Sequence, residues 1–191
     1  MRYIALIALL TILFVNPSWS QIAIDSSRIV RVLTFNILHG ANTNGDFNLD
    51  VIAQVILNEN PDLVALQEVD FKTGRAKKYD LATELGWRTK MAPVFGKAME
   101  FDGGEYGEAV LSKFSFLQTR NIMLPFSDGK EPRVALEIMT ILPSNDTVVF
   151  VGTHLDHTSN EYDRITQATK INQAYSDAQY PTILAGDLND F

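Results

Sequence analysis

Four short apolar runs in this chain each stop at a cluster of polar side chains, and that repetition constrains the fold more than any other feature. "IVRVLTF" (29–35) runs into Asn36. "LVAL" (63–66) runs into Gln67, Glu68 and Asp70. The stretch from Thr147 to Thr153 runs into His154, Asp156 and His157. Thr182 to Ala185 passes through Gly186 to Asp187, Asn189 and Asp190. Short β-branched or apolar runs bounded by turn residues predict buried strands. One polar group at a strand tip is ordinarily a cap or turn residue. Four such tips together predict a ligand site at the carboxyl ends of sheet strands.

Between these runs the pattern changes. Apolar residues at 49, 52, 55 and 56 predict an amphipathic helix from Leu49 to Leu57, ended by "NENPD". Asp80 to Leu85 reads as a short helix closed by Gly86. Asn160 is placed to cap a helix from Glu161 to Ala174, with Ile165, Ala168 and Ile171 on one face. Trp87–Phe95, Ala109–Ser112, Arg133–Ile141 and Thr147–Thr153 read as strands with no helices between them, which predicts antiparallel pairing. Strand–helix alternation at both ends around a strand-rich middle predicts one layered, mixed α/β domain.

The first twenty residues stand apart. Arg2 precedes an apolar run from Tyr3 to Val15, then Pro17 and small residues at Ser18 and Ser20. This is the pattern of a secretory signal peptide cut after Ser20. A membrane anchor is the competing reading, but the run falls short of the roughly 20 apolar residues a span needs. The expected organisation is a signal peptide at 1–20 and a domain at 21–191, secreted or periplasmic, monomeric and not inserted in the membrane. The chain has no cysteine, which excludes disulfides, a thiolate nucleophile and a thiolate zinc site. Residues 1–20 carry one charged side chain, Arg2, so their removal takes the formal charge from −7 to −8. Such a protein receives no general attraction toward polyanions. If it handles phosphates, a metal ion or a local basic cluster must offset the repulsion.

The donor types at the strand tips point to a hard cation. Carboxylates and amides suit Mg²⁺, Mn²⁺ or Ca²⁺. Mg²⁺ takes few protein carboxylates and completes its shell with water and phosphate oxygens, so the set predicts phosphoryl chemistry.

The segments "VLTFNILHG", "PDLVALQEVD", "GEYGEAVLSK", "EPRVALEI", "VGTHLDH" and "ILAGDLND" together resemble the endonuclease/exonuclease/phosphatase superfamily, the metal-dependent phosphohydrolases similar to deoxyribonuclease I. The matches run in family order and cover nearly all of residues 21–191. The resemblance implies a four-layer α/β/β/α sandwich of two packed mixed sheets. It implies that Glu68 binds the metal (Mg²⁺ or Mn²⁺) and that Asn36 helps hold it, directly or through water. His154 matches the histidine that contacts the scissile phosphate. Asp187 and Asn189 match the pair that orients the attacking water and the phosphate. Tyr106 and Arg133 stand where the family often places phosphate contacts. Family members continue past the "GDLN" strand to a further Asp and a closing Asp–His pair whose His acts as general base. The resemblance therefore implies a chain incomplete at its C-terminus, inactive as it stands. The rival explanation is a natural remnant without activity.

Other polar residues read more plainly. Asp70 is a turn residue, Asp156 and His157 shape the loop after their strand, and His39 is an ordinary loop residue. The basic run Lys72, Arg75, Lys77 and Lys78 reads as a solvated loop, although its closeness to Glu68 would let it lean over the site and offset the acidic field. The expected activity is hydrolysis of a phosphoester by a secreted, metal-dependent enzyme. A nucleic acid, a lipid headgroup and a small soluble phosphoester all stay open as substrate, and a secreted nuclease is one alternative. A non-catalytic binding protein on the same scaffold is the other.

Overall fold

A computed structural model of the protein describes residues 29–190, so the expected leader at 1–20 lies outside the described residues. Strands β1 (Val32–Asn36), β2 (Leu63–Phe71), β3 (Ala92–Phe101) and β4 (Gly104–Ser112) form one sheet in the order β1-β2-β4-β3. Strands β5 (Phe116–Met123), β6 (Val134–Ile141), β7 (Thr147–His154) and β8 (Thr182–Asp187) form the second in sequence order. Each sheet is mixed. β1 pairs parallel with β2 and β7 with β8, while the other pairs are antiparallel.

The sheets pack face to face. Leu63, Ala65, Val110, Leu136, Ile138 and Phe150 fill the space between them. Helices α1 (Leu49–Glu59) and α2 (Leu81–Thr89) cover the outer face of the first sheet through Ile52, Ile56, Leu81 and Leu85. Helix α3 (Tyr162–Tyr175) covers the second through Ile171, against Val149 and Val151. The result is the expected α/β/β/α sandwich. Each buried Leu, Ile or Phe contributes roughly 1.5–3 kcal/mol of transfer free energy.

Side chains alternate along a strand, so the rows that build the central core continue straight into the polar tips. On β8 the inward row is Ile183, Ala185 and Asp187. On β7 it is Phe150, Gly152 and His154. In the parallel register His154 lies opposite Asp187. Gly186 belongs to this arrangement, because a Cβ there would sit 2.1 Å from the Thr153 carbonyl oxygen.

Several local expectations are corrected. α2 does not stop at Gly86 but runs to Thr89 and ends at Lys90 in the left-handed region (φ 58°). Gly86 is a packing position instead: a Cβ there would come within 2.9 Å of the Met91 oxygen and of Pro93. The strand expected from Trp87 therefore begins at Ala92, and Trp87 lies exposed on the helix. β5 was not expected, since "FLQTRNIM" is an exposed edge strand with no fully buried residue to mark it. On α3, Ile165 is exposed, and Asp163, Gln167 and Ile171 face inward. That inner face is polar because it anchors loops. Gln167 accepts from the Asp156 N–H (2.8 Å) and donates to the Pro125 carbonyl (3.1 Å), while Asp163 accepts from Ser127 Oγ (2.7 Å). These bonds fix the segment leading into Arg133. No helix among the described residues is long and apolar enough to cross a membrane.

Candidate active site

Both parallel strand pairs point their carboxyl ends at one rim, and a cleft of about 410 Å³ opens there. Asn36, Glu68, Tyr106, Arg133, His154, Asp187 and Asn189 all line it. All seven residues singled out from sequence are therefore brought together. A larger groove, about 850 Å³, lies between α1 and α2, but it faces away from these groups and is mostly apolar.

One wall is acidic. A bulge in β2 between Leu66 and Val69 puts Glu68 in the left-handed region (φ 58°) and turns its carboxylate into the cleft. Asn36, at the tip of β1, donates from Nδ2 to Glu68 Oε1 (2.8 Å) and lies 3.4 Å from Asp187 Oδ2. Its Oδ1 is taken by the Leu38 N–H at 3.1 Å. In this arrangement Asn36 holds the two carboxylates and offers its nitrogen, not its oxygen, to the centre of the site. Asn189, also left-handed (φ 51°), donates its backbone N–H to Asp187 Oδ1 (3.2 Å). Its side-chain nitrogen bonds the Leu155 carbonyl (2.9 Å), fixing the turn after β8.

The opposite wall is built of donors. Arg133 is almost fully buried. Its Nη1 lies 3.1 Å from His154 Nδ1 and its Nη2 lies 3.3 Å from His157 Nδ1. A guanidinium only donates, so both Nδ1 atoms accept, and a neutral ring carries its proton on Nε2. His154 Nε2 sits 3.7 Å from Asp187 Oδ2. Burial, reinforced by the Arg133 charge and opposed by Asp187, lowers the His154 pKa to about 4, so the ring is neutral at pH 7. Glu131 Oε1 lies 2.9 Å from Arg133 Nη1 as the counter-charge. Tyr106 is buried beside these groups, and burial pushes its hydroxyl pKa up, so it is a neutral donor.

Three residues take different places from those expected. His39 is no ordinary loop residue. It sits left-handed (φ 48°) in the turn Leu38–Gly40, with Nδ1 3.7 Å from Glu68 Oε2, and burial then Arg75 lower its pKa. His157 lies in the cleft beside Arg133, whereas Asp156 does shape the loop, accepting from the Thr158 N–H (2.8 Å). Asp70 is not a turn residue but a fully buried strand residue paired with Arg75.

Glu108 was not singled out. It is buried on β4, and Oε2 has no hydrogen-bond partner. Burial raises its pKa well above the usual carboxylate range, opposed by Arg133. Its place in "GEYGEAV", two residues after Tyr106 and so on the same face, was the available signal.

The charge balance bears on which ion the donor set fits. Among the described residues, the only basic groups within ion-pair distance of Glu68 and Asp187 are His39 and His154, and burial disfavours the charged form of both. Two carboxylates thus converge without a permanent cation between them. No group of three or more acidic, His or Cys side chains is gathered for metal binding among the described residues. The donor set fits an ion that takes few protein oxygens and fills the rest of its shell with water and substrate, as Mg²⁺ does.

Residues 33–191 match the Endonuclease/Exonuclease/phosphatase family. The chain belongs to that family. Solved structures agree. An endonuclease/exonuclease/phosphatase from Beutenbergia cavernae DSM 12333 is 26% identical with a TM-score of 0.69, the match covering 84% of this chain and 47% of that one. A functionally unknown conserved protein from Enterococcus faecalis V583 is 24% identical with a TM-score of 0.69, covering 84% and 67%. The mannosyl-6-phosphatase Bt3783 of Bacteroides thetaiotaomicron VPI-5482 shares the fold at 20% identity with a TM-score of 0.64, covering 84% and 66%. The match thus spans about half of the first of these structures and about two thirds of the other two. No curated protein matches the chain. The residues matched to the endonuclease/exonuclease/phosphatase family include all four strand tips at the rim, Asn36, Glu68, His154 and Asp187.

Proposed function

We propose that the protein is a secreted, divalent-metal-dependent phosphoester hydrolase. The observation that carries this reading is the pairing of an acidic wall, Glu68–Asn36–Asp187, with a facing wall of donors, Arg133, His154 and Tyr106. Glu68 would hold the ion (Mg²⁺ or Mn²⁺), with Asn36 fixing that carboxylate and assisting through water. When bound, the ion supplies charge neutralisation and Lewis-acid activation at the phosphate.

The chain's own residues account for the remaining chemistry. His154, neutral and protonated on Nε2, donates a hydrogen bond to a non-bridging phosphate oxygen. Arg133 holds that ring in the donating tautomer and adds positive potential behind it. Tyr106 gives a further O–H donor. Asp187, fixed by the Asn189 N–H and the Asn36 amide, accepts a hydrogen bond from the attacking water and orients its lone pair toward phosphorus. Preorganised donors of this kind commonly supply the largest part of transition-state stabilisation. Secretion rests on the leader pattern at residues 1–20, and the protein would act as a monomer on a phosphoester substrate.

The test is an assay of the full-length protein on bis-p-nitrophenyl phosphate, p-nitrophenyl phosphate and DNA, with Mg²⁺, with Mn²⁺ and with EDTA. Hydrolysis should require the ion and disappear in Glu68→Gln and His154→Ala. Turnover that survives EDTA, or Glu68→Gln with wild-type rates, would overturn the reading.

A further inference from the structure

The basic run "KTGRAKK" is not a solvated loop throughout. Its backbone folds back on itself, with Lys78 N–H bonding the Thr73 carbonyl (2.9 Å) and Lys72 N–H bonding the Tyr79 carbonyl (2.8 Å). It is tied to the turn between β3 and β4, where Arg75 N–H bonds Asp102 Oδ2 (2.7 Å) and Gly74 N–H bonds the Asp102 carbonyl (3.0 Å). The Arg75 side chain is fixed as firmly. Nε and Nη2 donate to Asp70 Oδ2 and Oδ1 at 2.7 and 2.8 Å, and Asp70 is fully buried. The guanidinium lies over the Phe101 ring at 4.4 Å and near the Tyr106 ring at 5.5 Å. It lines the same cleft as Glu68 and Asp187.

This geometry leaves one part of Arg75 for a ligand. The Nε–Nη2 edge is spent on Asp70. Nη1 and the second N–H of Nη2 make no hydrogen bond among the described residues, and together they form a planar fork suited to two oxygens. The Asp70 carboxylate also offsets much of the guanidinium charge. Paired in this way with a buried carboxylate, the fork has little net attraction for a second anion. It suits uncharged oxygens. Phe101 and Met99 line the cleft beside it and give an apolar flank for a ring.

We propose that Arg75 is a specificity-determining residue that binds a pair of hydroxyls on the organic part of the substrate, which is therefore a sugar or polyol phosphate. This rests on the hydrolase reading above and names its substrate class.

The experiment is a titration calorimetry comparison of the full-length protein with glucose 6-phosphate and with inorganic phosphate, in Mg²⁺ buffer, with every Arg75 form carrying His154→Ala so that bound sugar phosphate is not turned over. Protein with Arg75 intact should bind the sugar phosphate more tightly than phosphate. Arg75→Lys keeps a cation against Asp70 but has no fork, and should cut that preference about tenfold, the worth of one charge-assisted hydrogen bond. The pair Asp70→Asn with Arg75→Gln removes both charges without leaving a lone buried carboxylate, and should cut it equally. A preference that survives both variants, or none with Arg75 intact, overturns the proposal. So does fructose 1,6-bisphosphate gaining more from Arg75 than glucose 6-phosphate does, since the fork would then read an anion. Sugar phosphate that binds through Arg75 and is not hydrolysed by protein with His154 restored overturns the hydrolase reading instead. Hydrolysis of p-nitrophenyl phosphate without any Arg75-dependent preference overturns the present one alone.

Discussion

Asn36 Nδ2 lies 3.4 Å from Asp187 Oδ2, a residue 151 positions away in the chain, while the same nitrogen donates to Glu68 Oε1 at 2.8 Å. One carboxamide thus joins the carboxylates of two different sheets. It holds like charges close together, which is costly unless donors or a cation compensate. Asn36→Asp removes the donated bonds and adds a third negative charge. In EDTA the variant should lose about 1 kcal/mol of stability by urea unfolding, within the range for breaking a partly buried hydrogen-bond network. Mg²⁺ should stabilise it more than it stabilises wild type. A variant as stable as wild type in EDTA would show that the amide is not under load.

Arg133 connects the donor wall. Removing it leaves His154 Nδ1, His157 Nδ1 and Glu131 without their shared partner. Arg133→Met should cost roughly 3 kcal/mol, as expected for breaking a buried charge cluster from one side. Burial is the main cause of the low His154 pKa and Arg133 the second, so the pKa should rise from about 4 part of the way toward 6.5. An NMR titration of the His154 ring reads this directly, and an unmoved midpoint would contradict it.

The same histidine gives the fold an acid-sensitive window. Its folded pKa of about 4 lies below the reference 6.5, so between those values the unfolded chain binds more protons than the native one. Stability therefore rises with pH through this window, is complete above 6.5, and is lost as pH falls toward 4. The slope from this group is at most about 1.4 kcal/mol per pH unit. Urea unfolding across pH 4–7 should show that slope in wild type and a flatter curve in His154→Gln. Parallel curves would mean that His154 titrates normally.

These sites were legible where chemistry and strand period coincide. Asp187 and His154 each end an alternating inward row, so the apolar pattern marked both as strand tips, while the parallel pairing that sets them opposite each other is seen only in the structure. Glu68 was readable by type, but the left-handed bulge that aims it carries no sequence mark, because its residues, Gln67 and Glu68, are not those that favour positive φ. α2 was misread at Gly86 because a glycine packed against Met91 and Pro93 looks in sequence like a helix terminator. β5 and the inner face of α3 were missed for a shared reason. Burial there is low or polar, so hydrophobic period gives no signal. His39 and Arg75 reach the cleft from loops whose course is set by tertiary hydrogen bonds to distant residues, which no local pattern encodes.

Glu108 should respond to pH in the opposite direction to His154. Burial holds its folded pKa well above the usual carboxylate range, so the native state keeps a proton that the unfolded chain releases. That stabilisation is full below about 4.5, the unfolded pKa, and falls as pH rises toward the folded value. Glu108→Gln mimics the protonated form and cannot ionise when unfolded. At pH 7–8 it should be as stable as wild type or more so by urea unfolding, and its pH slope should be smaller. A destabilised Glu108→Gln at neutral pH would mean that the carboxylate is ionised and held by Arg133.

Glu68→Gln separates the structural and the metal-binding roles of the acidic wall. The amide oxygen of the replacement can still accept from Asn36, and the left-handed bulge places no new demand on a side chain of the same length. One of two converging negative charges is removed, so repulsion against Asp187 is relieved. In EDTA the variant should match wild type or gain up to about 1 kcal/mol in urea unfolding. Its affinity for Mg²⁺ by calorimetry should fall by more than about tenfold, since altering even the supporting partners of a metal ligand costs that much. Stability lost in EDTA with Mg²⁺ binding retained would reverse the assignment, making Glu68 a structural acceptor for Asn36 and His39 and placing any cation elsewhere along the rim.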